Sequence, residues 1–385
     1  MDKIRVLQIS KRYPPYIGGI ETVVADISHA LTDTRKYQVV VLAFNDKKET
    51  VHEVYDGIEV YRVGVSKVIA SQPIAPEYGR TFKKIIQEFD PQIIHFHYPD
   101  PFAAHFFLKY KEKARIIVHW HADIIKQKFL KFFFLHQNTK LCKKADLILA
   151  TSPAYLKDTD YLPKYKKKTK VLPLCIGENR TVITEDEKEK AEEIRKRYQG
   201  KKICFFYGRH VPYKGLTYLI QADRYLNPEK VKIVIAGSGP LTKQLKEQSI
   251  LYNNIDFVGR LSEEDINSYL LACDIFTFPS ITRNEAFGIS LAEAMYFGKP
   301  ACTFTIPGSG VNWVSLNAVT GLETPNRDVK AYANNIMKLV SDNELYQRLS
   351  KASRDRCNQL FTKDAFDKKV CSIYADLSKE IGELK

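Results

Sequence analysis

Two glutamates stand eight positions apart in the run Glu285-Ala-Phe-Gly-Ile-Ser-Leu-Ala-Glu293, with Phe287 and Gly288 between them. A carboxylate accepts a pair of hydrogen bonds from a vicinal diol, such as a ribose presents. Gly288 lies where a helix should begin. Its N–H, with those of Ile289 and Ser290, would then point at a phosphate or sugar oxygen. Glu285 precedes the turn and can reach forward to sugar hydroxyls. Glu293 lies one turn into the helix and faces back. Each glutamate alone has a plainer reading, as a loop residue and as a first-turn acid that complements the helix dipole. Glycoside hydrolysis needs two carboxylates flanking one bond, and no such acid/base pair is evident here.

Other groups suited to anions and hydroxyls recur where strands should end. Gly18 and Gly19 close Lys11-Arg-Tyr-Pro-Pro-Tyr-Ile-Gly-Gly and open a helix. They read either as a tight turn or as a place where backbone approaches an anion. The dinucleotide fingerprint GxGxxG is absent, so a nicotinamide cofactor is not supported. Arg209 and Lys214, in Gly-Arg-His-Val-Pro-Tyr-Lys-Gly215, offer two cations that suit a diphosphate; the alternative is a solvated basic loop. Gly237, in Ala-Gly-Ser-Gly-Pro-Leu241, marks a turn for packing or for phosphate. Gly259 and Leu261, in Phe-Val-Gly-Arg-Leu, mark a turn that could offer backbone groups to a base. His119-Trp-His-Ala-Asp123 follows another strand. Its spacing is not specific for a metal, and no third cluster completes a ligand set. The expectation is a solvent-facing His119 and a ligand-facing His121, with His95 and His97 at a neighbouring strand end.

The elements that must position these residues alternate. In the first half, runs 4–9, 39–44, 58–63, 93–96, 116–120 and 147–151 read as strands, and 19–32, 78–89 and 102–110 as helices. In the second, 202–207, 231–236, 255–258, 275–279 and 300–304 read as strands. Runs 185–198, 216–225, 241–249, 263–272 and 289–298 read as helices. Alternation of this kind predicts βαβ units on parallel sheets. The 385 residues exceed one ordinary core. The expected fold is therefore α/β, with two doubly wound Rossmann-like domains in tandem, 1–175 and 176–364. They should face each other across a cleft, with a C-terminal helix (365–385) crossing back to complete the first. Ligands of such sheets bind at the carboxyl ends of the strands.

Composition narrows the class. No run of eighteen apolar residues occurs, so no membrane span is expected, and the N-terminus lacks the pattern of a signal peptide. Seven scattered cysteines argue for a reducing compartment without a disulfide framework or zinc site. The net charge is +14. Through residue 175 there are 29 Lys and Arg against 18 Asp and Glu, whereas the remainder has 30 against 27. The first half therefore faces something anionic.

The segments GGIE, HWHAD, GRHVPYKG, AGSGPL, FVGRL and EAFGISLAEAMYFGKP occur in this order. Together they resemble the family 4 retaining glycosyltransferases of the GT-B fold, over nearly the whole chain, with Glu285 and Glu293 matching that family's E-x7-E motif. The resemblance implies a nucleotide-sugar donor held mainly by the second domain. Arg209 and Lys214 would bind its diphosphate, Glu293 the ribose, and Glu285 with the Phe287–Gly288 backbone the donor sugar. Gly19 would lie near the phosphate and acceptor, and His121 near the transferred sugar. It also implies transfer with retention and no need for a cofactor or divalent metal. The one Asp-x-Asp, Asp158-Thr-Asp160, reads as surface. The linker Pro173-Leu-Cys-Ile-Gly177 departs from the family's Pro-Asn-Gly or Pro-Leu-Gly turn. The loop 306–321 and HWHADIIKQK look like bacterial O-antigen and capsule mannosyltransferases. That points to GDP-mannose, with a UDP-sugar as the other candidate.

The stretch 126–144 mixes Phe with Lys. It reads either as a basic amphipathic helix for an anionic membrane or as a core helix with solvated lysines. With the family's frequent lipid-diphosphate-linked saccharide acceptors, the expectation is a cytoplasmic protein held peripherally at the inner face of a bacterial membrane. The alternatives are a sugar-nucleotide epimerase of the same fold, a phosphorylase with pyridoxal phosphate, and a basic nucleic-acid-binding protein. No recognised nucleic-acid module supports the last.

Overall fold

The computed structural model describes residues 3–16, 18–69, 72–110, 113–121, 131–154, 161–252 and 254–382. The chain divides into two compact units, residues 1–172 with 366–385, and 173–365.

Among the described residues the first unit holds ten strands: β1 (Ile4–Ile9), β2 (Tyr37–Phe44), β3 (Val51–Tyr55), β4 (Ile58–Val63), β5 (Lys67–Ile69), β6 (Gln72–Ile74), β7 (Ile93–Tyr98), β8 (Arg115–Trp120), β9 (Leu147–Ala150) and β10 (Thr169–Val171). Eight form one sheet in the order β10-β9-β8-β7-β1-β2-β4-β3. Every pairing in it is parallel except that of β3 with β4. β5 and β6 make a separate antiparallel hairpin. The central strands are apolar throughout because both faces of a parallel sheet are covered. Val6, Leu7, Val41, Phe96 and Val118 have lost nearly all access to solvent. From Phe366, the long helix Lys363–Gly382 belongs to this unit, with Val370, Ile373 and Tyr374 buried.

The second unit holds β11 (Lys202–Tyr207), β12 (Val231–Ala236), β13 (Ile255–Gly259), β14 (Ile275–Phe278), β15 (Ala301–Phe304) and β16 (Gly321–Thr324). They form one all-parallel sheet in the order β13-β12-β11-β14-β15-β16. Phe205, Val234, Phe276, Leu291 and Cys302 are among its buried core. In each sheet the order reverses beside the unit's first strand, between β1 and β7 and between β11 and β14. Connections leave such switch points to opposite faces, which opens a crevice at the strand ends.

Most expected elements are present with ends shifted by one or two residues. The expectation omits two helices, Val329–Ser341 and Asn343–Leu360, and the strands β3, β5, β6, β10 and β16. The strands are short, two of them in a hairpin, with too few residues to set a period. The basic stretch becomes the helix Lys131–Lys144, in which Asn138, Leu141 and Cys142 are buried and Leu135 is exposed. Its flank is tied down by Asn138 Nδ2 donating to Tyr98 Oη at 2.9 Å and by Lys144 Nζ donating to the Tyr110 carbonyl at 2.6 Å. Residues 126–130, Asp123, Asp158 and Asp160 lie outside the described residues.

Candidate functional site

In the second unit the loops that leave β11 and β14 meet at the switch point. The backbone N–H of Ile281 donates to the Tyr213 carbonyl at 2.9 Å, which joins them directly. Lys214 lies on the first loop and Glu285 on the second, and both are buried. Their side chains form an ion pair, Nζ to Oε2, of 2.5 Å. Ser280 Oγ donates to the same oxygen at 3.1 Å. The ammonium also lies 4.8 Å from the centroid of the Phe278 ring, within cation–π range. The Glu285 main chain is held from the far side, where Ser309 Oγ donates to its carbonyl and the Gly310 N–H donates to the Ala286 carbonyl at 3.0 Å.

Gly288 follows with φ +88° and caps the helix Ile289–Tyr296. A Cβ there would sit 3.0 Å from the Phe278 ring, in a backbone region that side chains disfavour. The first N–H groups of this helix have no partner within it. They lie at 288–290, where the sequence places the start of a helix. Ser290 is buried and Ile289 exposed. The Phe287 side chain points into the core against Trp313 and Phe361, so only its backbone can serve a ligand.

Glu293 is buried one turn further on, and both its oxygens have protein partners. Arg180 Nε donates to Oε1 at 3.1 Å, and the Tyr207 hydroxyl donates to Oε2. Burial pushes the Glu293 carboxyl up, and the Arg180 guanidinium opposes it. Arg180 is itself 3 % exposed. It donates to Asn267 Oδ1 at 2.9 Å and to the Glu263 carbonyl at 3.1 Å, and pairs with the Glu263 carboxylate. Asn267 is bound in turn by Glu187 at 2.8 Å. Sequence reasoning missed Arg180 and Tyr207. Tyr207 ends β11, a position that could have marked it, but nothing local ties Arg180 to a glutamate 113 positions away.

The remaining expected donors have simpler surroundings. Arg209 is exposed, with one weak bond of 3.4 Å to the Tyr213 hydroxyl. Gly237 has φ +111°, and a Cβ on it would lie 2.0 Å from the Gly208 carbonyl oxygen. That close backbone stacking requires a glycine at Gly237. Gly259 ends β13 with φ +79°, its carbonyl accepting the Gly237 N–H at 2.6 Å. Leu261 is half-buried against the core.

In the first unit Gly18 caps the helix Gly19–Asp33 with an extended backbone. Gly19 is exposed, and a Cβ added to it would meet nothing within 4 Å. The pair is therefore not needed for a left-handed turn. His121 follows β8, buried, and burial pushes its imidazole down to about 3. His119 does not face solvent: it is fully buried. Residues two apart on a strand share a face, and both faces of this sheet are covered. His97 pairs in register with His119, and Gln8 on β1 with His95. The topology thus gathers four histidines that lie in two separate segments of sequence.

Three of them, His95, His97 and His119, bring ring nitrogens within 4.8 Å of one another, and three imidazoles are a possible metal set. Yet the His95 and His97 rings stack at 4.3 Å and 13°, and those of His95 and His119 at 5.5 Å and 24°. Imidazole lone pairs lie in the ring plane, so stacked rings aim them side by side rather than at one ion. His97 already spends both nitrogens, on His121 at 2.9 Å and on Gln8 at 2.8 Å. The cluster therefore suits hydrogen bonding better than metal binding.

Residues 187–356 match the sequence model of the family described as Glycosyl transferases group 1, and residues 17–180 that of Glycosyltransferase Family 4. The chain is 30% identical over 377 residues to the O-antigen chain mannosyltransferase C of Escherichia coli, covering 97% of this chain and 99% of that one. It is 28% identical over 364 residues to the D-rhamnosyltransferase WbpZ of Pseudomonas aeruginosa, covering 93% and 92%. The fold is similar to that of a sucrose-phosphate synthase from Thermosynechococcus elongatus, with a TM-score of 0.77, 19% identity, and coverage of 98% and 100%.

Proposed function

The chain belongs to the family 4 glycosyltransferases of the GT-B fold, and on that premise we propose that it moves mannose from GDP-mannose to a lipid-diphosphate-linked saccharide during synthesis of a bacterial surface polysaccharide. The observation that carries the reading is the joined pair of loops at the second switch point. It sets a buried ammonium, a buried carboxylate and a helix N-terminus side by side. The relatives named for mannosyl and D-rhamnosyl transfer support the sugar. D-rhamnose is mannose without its 6-hydroxyl, so both donors share the manno ring.

Lys214 and Arg209 neutralise the diphosphate. A lysine ammonium has three donors, so the bond to Glu285 leaves others for phosphate oxygens. Glu293 takes the ribose hydroxyls with its remaining lone pairs. Glu285 and the backbone N–H groups at Gly288 hold the sugar. Gly19 serves the phosphate and acceptor, and His121 a hydroxyl of the transferred sugar. The bond from C1 to the phosphate oxygen breaks as the acceptor oxygen bonds C1 on the same face. The acceptor's proton passes to the departing phosphate, and the configuration is retained. No cofactor or divalent metal takes part, so transfer should survive EDTA. Family membership removes the ground for the epimerase and phosphorylase readings.

A thermal-shift panel with GDP, UDP, ADP, dTDP and their sugars, without metal, tests the donor. A ligand specific for the folded state raises the midpoint by mass action. Stabilisation by GDP and GDP-mannose alone supports the proposal; a response to UDP-sugars alone refutes the mannose assignment. We also propose peripheral attachment to an anionic membrane, supported by the excess of 11 positive charges through residue 175. Among the described residues no helix is long and apolar enough to cross a membrane. Sedimentation with anionic and neutral vesicles tests this, and equal, negligible binding to both counts against it.

A further inference from the structure

His121 ends a hydrogen-bonded path that begins on the C-terminal helix. Tyr374 Oη lies 2.7 Å from His95 Nδ1 and 3.3 Å from Gln8 Nε2. Gln8 Oε1 lies 2.8 Å from His97 Nε2, and His97 Nδ1 lies 2.9 Å from His121 Nε2. Gln8, His95, His97 and Tyr374 are each at most 2 % exposed, so water does not compete for these bonds.

The direction of each bond follows from what each atom can do. The Gln8 amide nitrogen can only donate, and it donates to Tyr374 Oη, which leaves the hydroxyl proton for His95 Nδ1 at 2.7 Å. With the amide nitrogen so placed, the Gln8 carbonyl oxygen, which can only accept, faces His97. His97 Nε2 must therefore carry a proton. Burial, with His95 and His121 nearby, holds His97 well below the ordinary histidine range, so the ring is neutral and Nδ1 is its lone pair. The hydrogen on the next bond must come from His121 Nε2. The His119 ring stacks on His121 at 3.9 Å, and no partner for either His119 nitrogen occurs among the described residues. His119 is a spacer, not a link.

We infer that Gln8 and His97 are positioning residues that lock His121 as its Nε2–H tautomer, keeping Nδ1 as a lone pair for a substrate hydroxyl. What His121 touches rests on the proposed function; the tautomer does not. In the opposite tautomer the same nitrogen would be a donor and would select a different partner atom.

The test is long-range proton–nitrogen NMR of the full chain with nitrogen-15 histidine, His121 being assigned by His121→Asn. The expected result at neutral pH is a single Nε2–H pattern for His121. Tyr374→Phe removes one oxygen, frees the Gln8 amide to turn, and should give His121 a mixture of tautomers. Gln8→Leu should do the same more fully. In both variants kcat for transfer should fall about tenfold, one decade for a misplaced proton, with the donor KM nearly unchanged. A protonated Nδ1 in the native protein overturns the inference, and so does an unchanged His121 pattern in folded Tyr374→Phe. The expected tautomer without any sugar transfer would refute the functional proposal and leave this inference standing.

Discussion

Lys214 Nζ and Glu285 Oε2 stand 2.5 Å apart, both side chains about 90 % buried. Two residues singled out for different parts of a donor are thus each other's counter-ion, 71 positions apart. Each charge is held in place by the other before any ligand arrives.

Breaking that pair from one side strands a buried charge. Lys214→Met should destabilise the second unit by about 3 kcal/mol or more, and Lys214→Met with Glu285→Gln together by clearly less. Urea unfolding of the three proteins checks this. A double variant no more stable than Lys214→Met would mean that the pair is not coupled.

Glu285→Gln keeps the shape and one acceptor but loses the charge. Transfer should fall on the order of 100-fold, the scale for one lost electrostatic contact at a reacting centre. Binding of the bare nucleoside diphosphate should not weaken, because the diphosphate is then the counter-ion of Lys214. Steady-state kinetics beside calorimetric titration separates the two effects.

Arg180→Leu should weaken nucleotide binding although Arg180 is not assigned to touch the ligand. Burial already pushes the Glu293 carboxyl up, and the guanidinium is what opposes it. Without it the carboxyl protonates and loses acceptors for a diol. Arg180→Lys should not rescue fully, because an ammonium cannot reproduce the guanidinium fork. The diphosphate Kd of both variants, measured from about pH 6 to 9, tests this: Arg180→Leu should recover affinity as pH rises.

The histidine cluster should make the first unit sensitive to acid. Burial holds His121 at about 3, against about 6.5 in the unfolded chain. Between these values the unfolded chain binds more protons. Stability is fully present above about 6.5 and is lost as pH falls, by up to about 1.4 kcal/mol per pH unit for each buried neutral histidine. Asp100, which burial pushes up to about 6, acts oppositely below that pH, but one carboxyl faces four imidazoles. Urea midpoints at about pH 7 and about 5.5, read from Trp120 fluorescence in a Trp313→Phe background, should drop. His119→Phe should flatten the drop.

Two glycines should part company. Gly237→Ala places a Cβ 2.0 Å from the Gly208 carbonyl oxygen at a positive φ and should cost about 2 kcal/mol or more. Gly19→Ala meets nothing within 4 Å. It should leave the melting temperature unchanged while slowing transfer, because the proposed phosphate and acceptor would occupy the room there. Melting curves and transfer rates of the two variants make the comparison.

The sequence by itself determined the alternation of strands and helices, because period and turn residues are local. It also determined that Glu285, Gly288, Glu293 and Lys214 stand at strand ends and a helix start, since each follows or opens a recognisable run. Only the tertiary structure decided who partners whom. Parallel pairing sets His97 beside His119 and Gln8 beside His95, so the expected solvent-facing His119 is a buried ring in a stack. In the second sheet the pairing of β11 with β14 brings Lys214 to Glu285, and the packing of residues 178–180 on the helix Ile289–Tyr296 brings Arg180 to Glu293. A residue's own neighbours in sequence report its conformation. Its charge partner is chosen by the order of strands in the sheet, which no short window of sequence contains.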